Sequence, residues 1–112
     1  MNSMGLNTTC VNAVKYASIS ATADGDNAIV AAVTNKRIRA VAVNFAVNAQ
    51  GTAQWQDATG NLSGAASLAQ YGGFAHSADP SVGLFQGHIG ERIDLNMGTG
   101  VDGLGEFAYL EV

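Results

Sequence analysis

The chain has 112 residues, 47% of them hydrophobic, with five basic and nine acidic side chains and a net charge of −4. That length suits one domain able to bury roughly two-thirds of its unfolded surface, and so few Lys and Arg exclude the clustered basic surface that nucleic-acid binding requires. Alanine is the largest contributor to the apolar fraction, so burial at roughly 25 cal/mol per Å² yields less per residue than in a leucine-rich core, and subunit contacts are expected to add stability.

The single cysteine, Cys10, excludes an intrachain disulfide and a cysteine-based zinc cluster and fits synthesis in a reducing cytoplasm. Met1 to Asn7 carries neither a basic flank nor an apolar run, so no signal peptide is expected, and no stretch reaches membrane-spanning length. Thr9 to Ser20 alternates as a strand, and Asp24-Gly25-Asp26-Asn27 is turn chemistry before a second strand from Ala28 to Val33. Thr34 to Arg37 reads as a hairpin with Asn35 in the left-handed conformation, which makes the next strand antiparallel to its predecessor.

That next strand, Arg37 to Val47, is the predicted centre of the fold. Strict alternation puts Val41, Val43, Phe45 and Val47 on one face and Ile38, Ala40, Ala42 and Ala46 on the other, so neither face belongs to water. A second hairpin is expected at Asn48 to Gly51, followed by a half-exposed strand carrying Ala53 and Trp55 inward. Asp57 to Gly64 reads as a loop, Ala65 to Gln70 as a short strand, Gly72-Gly73 as a break, and His76 to Gly83 as a longer loop before re-entry at Leu84-Phe85. Ile93, Leu95 and Met97 alternate with Arg92, Asp94 and Asn96, and Glu106 to Val112 makes the last strand. About eight short strands without an amphipathic helix predict an all-β, single-domain antiparallel β-sandwich, jelly-roll-like. Residues 1–25 would supply an N-terminal strand or extended arm, and 26–112 the sandwich proper.

No motif carries catalysis. Gly98-Thr99-Gly100-Val101-Asp102-Gly103 matches the dinucleotide fingerprint but precedes a strand instead of the required helix, so it reads as a strand connection. Asp24 to Asn27 lacks the glutamate that closes a calcium loop, and His76 and His88 are the only histidines, so that zinc would need further ligands from distant carboxylates or Cys10, and no metal or cofactor is expected. No nucleophile elbow is present, and an enzyme is not expected unless folding gathers a histidine with carboxylates. Lys36, Arg37 and Arg39 concentrate three of the five positive charges at one turn, a plausible contact for an acidic partner. Trp55, Phe74 and Phe85 are candidate interface aromatics whose alternative fate is core burial.

Taken in order, Ile29-Val30-Ala31-Ala32-Val33 with Lys36 to Arg39, Trp55-Gln56, Leu62 to Ala65, Gly72-Gly73, Gly90 to Asn96 and Tyr109 to Val112 make the chain resemble small virion proteins of tailed bacteriophages, some of which decorate or cement the head. The resemblance implies a non-enzymatic β-protein, made in the host cytoplasm and placed on the head surface. Its partners would be the major capsid protein and itself, as a homotrimer, and neither nucleic acid nor membrane. It also implies that the N-terminal segment could reach a neighbouring capsid subunit. The rival reading is a tail or fibre domain that recognises a host glycan, with Trp55 or Tyr71 as stacking platform.

Overall fold

The structure, a computed structural model, describes residues 13–112. Its strands are β1 (Lys15–Ala21), β2 (Gly25–Val30), β3 (Ile38–Val47), β4 (Gly51–Gln56), β5 (Ala66–Leu68), β6 (Gly73–Ser77), β7 (Phe85–Gln86), β8 (Ile93–Met97) and β9 (Gly103–Glu111). They form two antiparallel sheets. The first runs β1-β9-β3-β6, with β7 also on β3, and the second runs β2-β8-β4-β5. This is the strand order of a jelly roll, so the predicted all-β sandwich is the observed one. Segment 15–21 is a strand of that sandwich, while Cys10 and the start of the expected N-terminal arm lie outside the described residues.

The topology corrects both expected hairpins. Strand β2 pairs with β8 and not with β3, and β4 pairs with β8 and β5 and not with β3, so each connection crosses from one sheet to the other. The turn chemistry itself is as read, with Asn35 at φ 63° and the Lys36 amide donating to the Val33 carbonyl at 3.1 Å. A tight turn reverses the chain in either case; which strand becomes the partner is decided by long-range packing of the apolar faces.

Strand β3 does hold an interior position, between β9 and β6, but its alternation is broken once. Its register against β9 steps from Ala42 opposite Ala108 to Ala40 opposite Tyr109, leaving Val41 as the extra residue of a β-bulge. The bulge reverses the parity of everything before it. Ile38 and Ala40 therefore join Val43, Phe45 and Val47 in the main core, while Val41 turns outward to pack with Ala108 and Leu110. Two glycines let the backbones meet around this strand: a Cβ on Gly105 would collide with the Asn44 carbonyl oxygen, and one on Gly73 with that of Phe45.

Between the sheets the second layer contributes Ile93, Leu95 and Met97 as predicted, together with Val30 and Ala53. Fully burying one such aliphatic side chain stabilises by roughly 1.5–3 kcal/mol. Trp55 lies at the centre of an aromatic cluster, 5.1 Å from Phe107, 5.5 Å from Phe85 and perpendicular to Phe45 at 6.3 Å between ring centroids. Among the described residues no helix is long and apolar enough to cross a membrane.

Candidate functional site

Of the residues expected at an interface, the fold exposes some and consumes others. Trp55 is 3% exposed, so of its two possible fates the core one is realised and it offers no surface platform. Phe85 is half-buried and packs against Trp55 and Phe107, and Phe74 is placed on β6 opposite Phe45. Arg39 is held down: its Nε donates to Gln86 Oε1 at 2.8 Å and its Nη1 to the Pro80 carbonyl at 2.9 Å, which braces the 78–84 loop against β3 and β7. Lys36 and Arg37 remain exposed on the turn.

Their isolation is informative. The other cations each have an acceptor, Lys15 on Glu111 at 3.1 Å, Arg92 on both oxygens of the buried Asp94, and Arg39 as above. Hydrogen bonding to Asp94 and its negative charge push the Arg92 pKa up. The Lys36 and Arg37 side chains have no acceptor among the described residues, although the backbone between them is fixed by Gly90 N donating to Lys36 O and by the paired bonds of Arg37 with Val112. Two adjacent cations are thus presented on a rigid turn of an acidic chain.

At the same end of the sandwich the fold gathers residues that are distant in sequence. Asp57, His88 and Glu91 place potential ligand atoms within 4.8 Å of one another. This is the histidine and carboxylate cluster whose appearance would reopen the enzyme and metal readings, and the hydrogen bonds show what it does. Asp57 Oδ1 accepts from the amides of Thr59 and Gly60 at 2.9 and 3.0 Å, and Oδ2 accepts from the His88 amide at 2.9 Å and from His88 Nδ1 at 2.7 Å. Glu91 closes the lock, taking the Thr59 amide on Oε1 at 2.9 Å and the Thr59 hydroxyl on Oε2 at 2.6 Å.

Burial pushes the Asp57 carboxyl up, but the bonds from the His88 backbone and ring and from the Gly60 and Thr59 backbone outweigh it and hold the pKa at about 2. Because the ionised carboxylate only accepts, His88 carries its proton on Nδ1. An ion could enter only by displacing that proton and parting groups 2.7 Å apart. No hydroxyl or thiol of the described residues bonds the His88 ring, so the cluster lacks a nucleophile activated by a base. It is a pin joining the 57–60 turn to the 87–91 turn.

Opposite outer faces of the sandwich differ in kind. On the second sheet polar side chains bond one another: Asn96 to Asp26 at 2.7 Å, Arg92 to Asp94, and Gln56 to Asn61 at 2.8 Å. That is a self-satisfied face. Rows on the first sheet run Tyr16, Ala108, Ala42, Ser77 and, beside them, Ser18, Glu106, Asn44, Ala75. Their small side chains floor an open groove of about 350 Å³, with Tyr16 standing 73% exposed at one side. The expectation that neither face of Arg37 to Val47 belongs to water is corrected here: Asn44 and Ala46 are exposed on this outer face, and no further layer among the described residues covers it.

The remaining motifs serve the loops. Asp24 accepts from the Gly100 amide at 2.9 Å and Asn27 clamps the Ala23 backbone, so the calcium-like stretch caps turns; the glycine motif at 98–103 connects β8 to β9. Compared with family models, with curated proteins and with solved structures, the chain shows no match.

Proposed function

We propose that the chain is a non-enzymatic structural protein of a bacteriophage virion, a decoration or cement protein that binds the assembled head through the Lys36-Arg37 turn. The observation that carries this reading is that the two cations without an acceptor among the described residues are neighbours on one braced turn. In a chain of net charge −4 such a turn orients docking towards an acidic partner surface. The resemblance to small virion proteins names that partner as the major capsid protein and suggests a homotrimer. A protein that binds only the assembled shell stabilises it by its binding free energy, and linking several copies multiplies the effect.

The test is cosedimentation of the purified protein with heads that lack it. The Lys36→Glu, Arg37→Glu double variant is expected to bind at least about tenfold more weakly, because two attractive exposed contacts of roughly 0.2–1 kcal/mol each become repulsive. Wild-type binding should fall as salt rises. Equal binding by the double variant would remove the turn from the interface.

A further inference from the structure

We infer that the groove on the outer face of the first sheet is a binding site for a neutral saccharide. Four polar side chains around it, Tyr16, Asn44, Ser77 and Glu106, make no side-chain hydrogen bond among the described residues, and His76 also lines it, whereas the opposite face has bonded its polar groups to one another. The floor is Ala42 and Ala108, whose methyl groups leave a flat apolar bed along two adjacent strands. A pyranose presents the matching chemistry, an apolar C–H face for the floor and the Tyr16 ring, and a rim of hydroxyls for the amide, hydroxyl and carboxylate beside it. At about 350 Å³ the groove has room for a mono- or disaccharide.

Other occupants fit less well. None of the five Lys and Arg lines the groove, and Glu106 does, so phosphates, sulfated or sialylated glycans meet a like charge with no lysine or arginine to offset it. An ammonium group would satisfy Glu106 and the tyrosine ring but would leave the donors of Asn44 and Ser77 without acceptors. A peptide strand cannot add here, because β9 and β3 at the floor are each paired on both edges. Sugar hydroxyls both donate and accept, which suits this mixed set.

The inference stands independently of the proposed head docking, which uses the Lys36-Arg37 turn before β3 and none of the groove's lining residues. The test titrates the purified protein with cellobiose, maltose, lactose, mannobiose and sialyllactose, following amide shifts by NMR. Saturable shifts at Ala42, Asn44 and Ala108 with at least one neutral probe, and none with sialyllactose, are expected. Tyr16→Ala and Asn44→Ala, both at exposed positions, should each weaken that binding at least fivefold, while Tyr16→Phe should retain most of it. Absence of saturation with all four neutral probes, a preference for sialyllactose, or unchanged affinity in Tyr16→Ala would overturn the proposal.

Discussion

Asp57 is a buried carboxylate whose four hydrogen bonds all come from two turns far apart in sequence. Asn at this position would replace one acceptor oxygen by a donor facing the His88 N–H groups. Asp57→Asn is therefore expected to lose about 3 kcal/mol in urea unfolding, the scale of leaving buried donors unpaired, and an unchanged midpoint would mean that the turns hold without the pin. The pH dependence has a definite sign. With the folded pKa at about 2 against 3.8, Asp57 contributes about 2 kcal/mol that is fully present above pH 4 and is lost as the pH falls through 2. Stability measured between pH 5 and 2 should fall in wild type and fall less in Asp57→Asn.

Trp55 presents the opposite case. Its Nε1–H is buried without an acceptor among the described residues, so the residue stabilises through its ring while its donor is a liability of about 1–3 kcal/mol. Trp55→Phe should accordingly lose little in denaturant unfolding, and Trp55→Ala and Phe45→Ala about 3–5 kcal/mol each. If Trp55→Phe were as damaging as Trp55→Ala, the indole nitrogen would have to be bonded after all.

At the scale of strands, alternation was legible where it is unbroken. Ile93, Leu95 and Met97 point inward as their spacing dictates, and Phe45 sits in an interior strand. The bulge at Val41 was not legible, because Ala40, Val41 and Ala42 are all apolar and nothing in composition marks the change of parity. Turns were legible as turns, as Asn35 shows, but a turn does not disclose whether the next strand pairs with the last or crosses to the facing sheet. The Asp57 pin and the outer groove were hidden for the same reason, since both depend on register between residues 31 or more positions apart. Deleting Val41 should return Ile38 and Ala40 to the outer face and unfold the domain or lose more than about 3 kcal/mol, whereas Val41→Ala should be mild. A deletion variant of wild-type stability would contradict the bulge.

Over the whole molecule, three surfaces divide the work. A polar outer face satisfies itself, a small-residue outer face keeps its polar groups available, and one end combines a pinned pair of turns with two free cations. Under the proposed function, the subunit docks by its end while the sheet face stays open.

The most direct measurement of the proposed virion role is a cryo-electron microscopy map of a virion produced by cells that express this chain. The account predicts density for the two-sheet sandwich at regular sites on the head surface, with the Lys36-Arg37 turn against the shell. Density confined to the tail or fibres, or a particle without the chain, would contradict it.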